Sequence, residues 1–304
     1  MSQVQTGPMI VVPCAAVTDE VWQLLRAAPT DTAYRAALTA ALRLPGNILS
    51  DAPDMHWARP AWTCCIAAGG GETQVLRVAA AVEVFMVALD VLDDAEDGEE
   101  TVLQAELGAA RALNVSTGLL FLAQRGLLDA SGGTALTPLL LDAGLRACSG
   151  QHADLTGAQG RSIGLDDALA VTAAKSASLV AAICQLGAAC AGADARAQEL
   201  FARFGQYLGM VGQLVNDLKA LKPEATGKTD IALGRPTLPL AHAALIAPCA
   251  RMDTDIRAAV WTRGPAQLTW AVASANRSRA LALLPSLTAD RDTAGALAAL
   301  LPSL

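Results

Sequence analysis

Basic residues, aromatic residues and charge in general are scarce in this sequence. Of its 304 residues, 17% are charged and 4% are aromatic, and the formal net charge is -7. Lysine is confined to four positions, Lys175, Lys219, Lys222 and Lys228. A surface that binds nucleic acid through its phosphates needs clustered lysine and arginine, which this chain lacks. We therefore expect no nucleic-acid partner.

Signals for export or membrane insertion are also weak. The first seven residues contain no basic stretch of the kind that precedes the apolar part of a secretory signal. Seven cysteines, an odd number without the paired spacing of metal ligands, favour a reduced compartment, so we expect a cytoplasmic protein. The uncharged segment from Ser176 to Ala193 is long enough to span a membrane, but its serines, glutamine and glycines favour a buried core helix. No stable membrane span is predicted.

Strand patterns are missing, and the composition favours helices. Hydrophobic residues make up 53% of the chain and are mainly alanine, leucine and valine. Long apolar segments at helical spacing are separated by breakers such as Pro45-Gly46-Asn47 and Gly69-Gly70-Gly71. We predict a single all-α domain of about ten or more helices over residues 31–304. Residues 1–30 form a lead-in with one possible helix from Glu20 to Ala28.

The sharpest local signal is a run of acidic residues. An almost continuous apolar helix, Val75 to Leu92, leads into it, and no lysine or arginine occurs between Arg77 and Arg111. Offsets of three and four residues place four carboxylates on one helix face, those of Asp90, Asp93, Asp94 and Asp97. Two carboxylates about 6 Å apart repel by roughly 3 kcal/mol at an effective dielectric constant of about 20. A bound divalent cation such as Mg²⁺ would offset this repulsion, and a solvated acidic helix end is the alternative.

A second polar region lies further along the chain, and together the motifs carry a family resemblance. Gly150-Gln151-His152-Ala153-Asp154 and Lys175-Ser176 precede the segment from Gln213 to Asp217, which is followed by Gly227-Lys228-Thr229 and Gly234-Arg235-Pro236. With the Asp-Asp-x-x-Asp pattern at Asp93, Asp94 and Asp97, their order and spacing resemble the trans-isoprenyl diphosphate synthase (polyprenyl synthetase) family. The resemblance covers roughly residues 50 to 245.

The resemblance implies a fold, a reaction and an assembly. The expected fold is the class I isoprenoid synthase bundle of helices around a central apolar cavity. Carboxylates on two facing helices would hold Mg²⁺ ions, which bind an allylic prenyl diphosphate, and ionisation would release pyrophosphate and leave an allylic cation. The family also pairs through buried helices, so the resemblance implies a homodimer.

Residue roles follow from the same resemblance. The metal ligands and catalytic residues would be Asp93, Asp94, Asp97, Asn216 and Asp217. Glu224 is a further candidate metal ligand, because Asn216, Ala220 and Glu224 have the spacing of the metal triad of terpene cyclases. Ala220 supplies no oxygen, however, and the Glu224 match can arise by chance. Substrate-binding roles are expected for Arg59, Phe85, Met86, Leu89, Gln151, Lys175, Gln213, Lys228 and Arg235.

The chain departs from the family where chain-elongating members hold isopentenyl diphosphate. Those members carry a Gly-Gly-Lys-Arg-x-Arg-Pro stretch, a histidine on the first acidic helix and a pair of arginines. The segment Asp54 to Pro60 keeps Arg59 but has His56 in place of the lysine, and Met86 replaces the helix histidine. Glu99-Glu100 stands in the region of the arginine pair, so a second diphosphate would meet carboxylates there.

From these departures we predict an enzyme that ionises an allylic diphosphate of the geranyl or farnesyl class, after which the cation is rearranged, cyclised or quenched. Two alternatives stay open. One is a prenyltransferase that elongates the allylic diphosphate with isopentenyl diphosphate or prenylates another acceptor. The other is a non-catalytic subunit that partners an active synthase, which the missing carboxylate at Ala220 permits.

Overall fold

α-Helices and one π-helical turn make up the regular structure of the residues that the computed structural model describes, namely 10–157, 164–221, 235, 237–246 and 264–304. Within these ranges no strand occurs, so the predicted all-α class is confirmed. In chain order the elements are α1 (Cys14–Ala27), α2 (Thr32–Leu42), α3 (Ala58–Ala67), α4 (Glu72–Glu96), α5 (Val102–Leu107), α6 (Ala109–Leu128), α7 (Gly133–Gly157), α8 (Leu165–Thr172), the π turn (Ala173–Ala177), α9 (Ser178–Cys190), α10 (Ala195–Ala220), α11 (Leu238–Ile246), α12 (Pro265–Leu287) and α13 (Arg291–Ala299).

The chain divides into two compact units. Unit 1 comprises Met1–Leu140 and Gln185–Gln198, and unit 2 comprises Leu141–Cys184 and Glu199–Leu304. The boundary predicted at residue 30 stays a prediction. Helix α1 lies within the predicted lead-in and begins at Cys14, earlier than expected, because the buried side chains of Val17 and Val21 stabilise its added turns.

Helix α4 forms the core of unit 1. Its residues from Val78 to Ala88 are all buried, and it packs against α1, α3 and α6. The helix is apolar around most of its circumference, as expected for a helix surrounded by others. The Ser116 hydroxyl of α6 donates a hydrogen bond of 2.8 Å to the Ala88 carbonyl, which ties the two helices together near the acidic end of α4.

The core of unit 2 includes the apolar face of α10. Phe204, Val211 and Leu214 are fully buried there. Gly209 allows a close approach, because a Cβ atom at this position would lie 2.6 Å from the Cα atom of Ala177 in the π turn. Any larger residue at position 209 would push α10 away from the π turn.

One stretch of the described chain, Leu165–Cys190, is long and apolar enough to cross a membrane. Half of its most apolar window, 50%, is buried inside the fold. A core helix of a soluble protein passes the same test of length and composition. The stretch is therefore weak evidence for a membrane span.

Candidate functional site

The acidic residues of the first motif lie at the C-terminal end of α4, in unit 1. Asp93 and Asp94 are half-buried in the last turn, and Asp97 caps the helix by donating its backbone N–H to the Asp93 carbonyl at 2.9 Å. Gly98 then takes a φ of +66°, the left-handed conformation that commonly ends a helix. The sequence places this glycine directly after the motif, so the carboxylates gather at a sharply terminated helix end.

Two carboxyl groups at this end of α4, those of Asp90 and Asp94, have raised pKa values. The pKa of Asp94 is raised by burial and then by the charges of Glu99 and Asp93. The pKa of Asp90 is also raised, by desolvation and then by the charges of Asp94, Asp93 and Glu83. Protons or a cation are therefore favoured at this end of the helix.

The chemistry of these side chains fits Mg²⁺ in one particular way. In the residues that the structure describes, no three His, Cys, Asp or Glu side chains converge to hold a metal ion by themselves. Mg²⁺ is usually bound through one or two carboxylates together with substrate phosphates and water. The Asp93, Asp94 and Asp97 carboxylates suit such a shared site, and their role as metal ligands stays a prediction. Glu224 lies outside the described residues.

Two predicted cations of unit 2 converge on one buried carboxylate. The Nζ atom of Lys175 lies 3.2 Å from Oδ2 of Asp154, and Nη1 of Arg235 lies 3.7 Å from the same oxygen. Asp154 and Arg235 are 6% and 5% exposed. One carboxylate thus joins two cations in this Lys175–Asp154–Arg235 cluster. Ammonium and guanidinium N–H groups are donors of the kind that bind anionic oxygens.

The π turn places Lys175. The helical ladder widens over Ala173–Ala177, and such single π turns are frequent at functional sites. The turn packs directly on α7, since a Cβ atom at Gly150 would lie 2.4 Å from the Lys175 backbone nitrogen. Gly150 and Asp154 are one turn apart on α7, so the same helix approaches the π turn closely and supplies the carboxylate that binds Lys175.

A chain of hydrogen bonds connects the π turn to the second acidic motif on α10. The Ser176 hydroxyl donates to Oε1 of Gln213 at 3.1 Å, and Nε2 of Gln213 donates to Oδ1 of Asp217 at 3.0 Å. Asp217 is 3% exposed, whereas its neighbour Asn216 is exposed to solvent. The structure therefore brings Gln213 and Asp217 together and leaves Asn216 in a different environment.

The remaining predicted residues fall into three groups. Phe85 and Met86 are buried in the unit 1 core, and Leu89 is half-buried. Arg59 lies in the first turn of α3 with an exposed side chain. Gln151 is half-buried on α7, and Lys228 lies outside the described residues.

Three residues that sequence reasoning did not select as site residues contribute to these clusters. They are Asp154, Ser176 and Glu83, of which Glu83 is 4% exposed and accepts two backbone N–H groups at the start of α3. Each stood inside or near a recognised motif, and this proximity was the signal that could have identified them. Their partners lie 21 to 37 residues away in sequence, so the contacts themselves leave no local pattern.

Comparison with known proteins defines the class of this protein. A solved structure of a geranylgeranyl pyrophosphate synthetase from the archaeon Geoglobus acetivorans superposes with a TM-score of 0.82 at 18% identity, covering 94% of each chain. The fold is therefore the all-α class I fold of isoprenyl synthases, as the sequence predicted.

The family follows from the sequence comparison. The model of the polyprenyl synthetase family matches residues 57–257, and the chain belongs to this family of trans-isoprenyl diphosphate synthases. A (2E,6E)-farnesyl diphosphate synthase of Mycobacterium tuberculosis strain H37Rv is 32% identical over 187 residues, which are 57% of this chain and 52% of that protein. A geranylgeranyl diphosphate synthase of the same strain is 31% identical over 195 residues, 60% and 56% of the two chains. The chain thus matches about half the length of these curated relatives.

Proposed function

We propose that the protein is a Mg²⁺-dependent prenyltransferase that joins an allylic prenyl diphosphate to isopentenyl diphosphate and releases pyrophosphate. The carboxylate-rich end of α4, in a chain of the polyprenyl synthetase family, is the observation that carries this proposal. The similarity to farnesyl and geranylgeranyl diphosphate synthases supports prenyl transfer more than the cyclisation that the sequence departures suggested.

Each cluster has a defined task in this proposal. When bound, Mg²⁺ supplies Lewis-acid charge that stabilises the departing pyrophosphate. Asp93, Asp94 and Asp97 hold the metal, and the Lys175–Asp154–Arg235 cluster attracts phosphate oxygens. Because Asp154 binds both cations, it fixes their positions before the diphosphate arrives and reduces the side-chain ordering that binding requires.

The hydrogen-bonded chain from Ser176 to Asp217 orients the second acidic motif. Gln213 uses its carbonyl oxygen towards Ser176 and its amide nitrogen towards Asp217, so both ends of the side chain are held. An orientation fixed in this way keeps the Asp217 carboxylate in one rotamer. We assign a metal-binding role to Asp217 and the positioning of its carboxylate to Gln213.

A product assay tests the proposal. The purified protein is incubated with geranyl diphosphate and Mg²⁺, with and without isopentenyl diphosphate, and the products are identified by mass spectrometry. A longer prenyl diphosphate formed only when both substrates are present supports prenyl transfer. A product formed from geranyl diphosphate alone rejects it.

A second candidate is ionisation of the allylic diphosphate without chain elongation. The observation in its favour is the charge at the start of α3, where Asp54 is exposed, His56 replaces a lysine of elongating members and Arg59 is the one arginine. A dianionic second substrate finds less positive charge there. Under this candidate the product assay yields a hydrocarbon or alcohol without isopentenyl diphosphate. Failure to make any product would support a non-catalytic partner subunit.

We also propose that the protein is a homodimer and that α6 contributes to the interface. Leu113, Phe121 and Leu128 lie on one face of α6 and are 41%, 65% and 52% exposed. Three large apolar side chains on one exposed helix face are typical of a surface that another chain covers. The predicted cytoplasmic location stays a prediction.

A further inference from the structure

A buried carboxylate on α4 lies at the start of α3. Oε1 of Glu83 accepts the backbone N–H of Trp57 at 3.0 Å and that of Ala58 at 2.6 Å. Glu83 is 4% exposed, and Ala58 is fully buried. One oxygen of a core residue therefore satisfies two of the backbone donors that the first turn of a helix leaves unpaired.

No side chain of α3 itself accepts hydrogen bonds from the backbone N–H groups at the start of the helix. Its N-cap residue, Trp57, provides no side-chain hydrogen bond, and its first turn contains no acidic residue. The first turn instead contains Arg59, whose positive charge is unfavourable at the positive end of the helix dipole. Glu83 supplies the missing acceptor from a neighbouring helix.

The turn that precedes α3 is strained. Met55 has a φ of +51°, the left-handed conformation that non-glycine residues rarely adopt, although its side chain is 5% exposed. Its carbonyl accepts the N–H of Arg59 at 3.1 Å, and the N–H of Asp54 donates to the Gly46 carbonyl at 3.0 Å. A strained conformation persists only where surrounding contacts hold it, and such sites are often functional.

This strained turn leads directly to Arg59 in the first turn of α3. Arg59 is exposed, and within the described part of the chain its guanidinium forms no ion pair. A guanidinium matches the geometry of a diphosphate, whose oxygens can accept two parallel N–H bonds. The conformation of Met55 and the two bonds to Glu83 together hold the backbone from which this group extends.

We propose that Glu83 is a positioning residue that holds the turn of residues 55–58, and with it Arg59, in the conformation that binds the diphosphate of isopentenyl diphosphate. This inference rests on the proposed function for the identity of the ligand. It adds a role for a buried acid that touches no substrate. A purely structural role for Glu83 would change stability without changing the affinity for one substrate.

Steady-state kinetics distinguish the two roles. Glu83→Gln, Arg59→Gln and the double variant are compared with the wild-type enzyme, with Glu20→Gln as the matched control. Glu20 is also a buried acid of unit 1, on α1, where it pairs with Arg77. Loss of an arginine contact to a charged group costs about tenfold or more in affinity, so we expect Arg59→Gln to raise the KM for isopentenyl diphosphate by about that factor.

We expect Glu83→Gln to raise the same KM several-fold while kcat and the KM for the allylic diphosphate stay within about twofold of the wild type. If Glu83 acts through Arg59, the double variant is no worse than Arg59→Gln alone. Additive effects of the two substitutions, or an equal effect of Glu20→Gln on this KM, would overturn the proposal.

A second measurement does not require activity. Hydrogen exchange of the Trp57 and Ala58 amides is followed in the wild type, Glu83→Gln and Glu83→Ala. We expect faster exchange at these two amides in Glu83→Ala and a smaller change in Glu83→Gln, which keeps an acceptor oxygen. Unchanged exchange in both variants rejects the positioning role.

The two proposals can fail separately. If the wild type makes no elongated product, the proposed function fails, and calorimetry with inorganic pyrophosphate then serves as the binding probe for Arg59 and Glu83. Weaker pyrophosphate binding in both variants, but not in Glu20→Gln, would still support the positioning role. Equal affinity of all variants for pyrophosphate would contradict the positioning role.

Discussion

Replacing Gly150 by alanine tests how α7 places the π turn. Gly150 is buried, and the added Cβ atom would lie 2.4 Å from the Lys175 nitrogen and 2.9 Å from the carbonyl carbon of Ala174. Both are backbone atoms, so no side-chain rotation can relieve the overlap. Either α7 or the π turn has to move by several tenths of an ångström.

The magnitude follows from two opposing contributions. Alanine is favoured over glycine inside a helix by about 1 kcal/mol, whereas overpacking a filled interior costs typically about 1–3 kcal/mol. Gly212→Ala on α10 is the matched control, because a Cβ atom there meets no atom within 4 Å. The free energy of unfolding of Gly150→Ala should therefore fall below that of Gly212→Ala by about 1–3 kcal/mol, the steric contribution alone.

Urea unfolding and substrate kinetics measure the two consequences. We expect Gly150→Ala to unfold at a lower urea concentration than Gly212→Ala. We also expect it to bind the allylic diphosphate more weakly, since a shifted π turn disturbs the 3.2 Å contact between Lys175 and Asp154. If Gly150→Ala matches Gly212→Ala in both stability and KM, then the close approach of α7 does not place Lys175, and the reasoning is wrong.

Three further predictions concern the metal, the dimer and pH. Asp94→Asn should lower kcat/KM by about 100-fold or more and raise the Mg²⁺ concentration that activity requires. The control Asp142→Asn, at an exposed position, should leave both quantities unchanged. An unaltered Mg²⁺ requirement in Asp94→Asn would contradict the metal role. Phe121→Arg should shift the protein to a monomer in analytical ultracentrifugation, and a wild type that is already monomeric would contradict the interface. Burial raises the pKa of Glu83 from its ordinary value of 4.5 to about 7, so the folded state holds a proton that the unfolded chain has released. Without Mg²⁺, this proton should make the free energy of unfolding fall as pH rises from about 4.5 to about 7, by up to about 1.4 kcal/mol per pH unit. Glu83→Gln should remove this contribution from the slope in denaturation curves, and an equal slope in both proteins would contradict it.

Local patterns in the sequence predicted the helical class and the acidic helix end. Spacings of three and four residues depend only on helix geometry, so the shared face of Asp93, Asp94 and Asp97 follows without knowledge of the fold. The same reasoning predicted an apolar α4, because the run from Val75 to Leu92 leaves no polar face. The helix then ends at Glu96, and its C-cap residue Asp97 is followed by the glycine that the sequence also shows.

Contacts between distant segments could not be predicted in this way. The pairing of Lys175 with Asp154 requires that α7 and the π turn meet, and a single sequence does not encode that meeting in any local spacing. The strained φ of Met55 has no sequence signal either, since methionine does not favour that conformation. Helix α1 began earlier than expected because its buried residues Val17 and Val21 pack against other helices.

The proposed function assigns a ligand of opposite charge to each cluster. The carboxylate-rich end of α4, in unit 1, favours a divalent cation. Lys175 and Arg235, in unit 2, suit phosphate oxygens, because ammonium and guanidinium groups form charge-assisted hydrogen bonds with anionic oxygens. A metal-bound diphosphate contains both a cation and anionic oxygens, so the proposed substrate class gives each cluster a ligand that matches its chemistry.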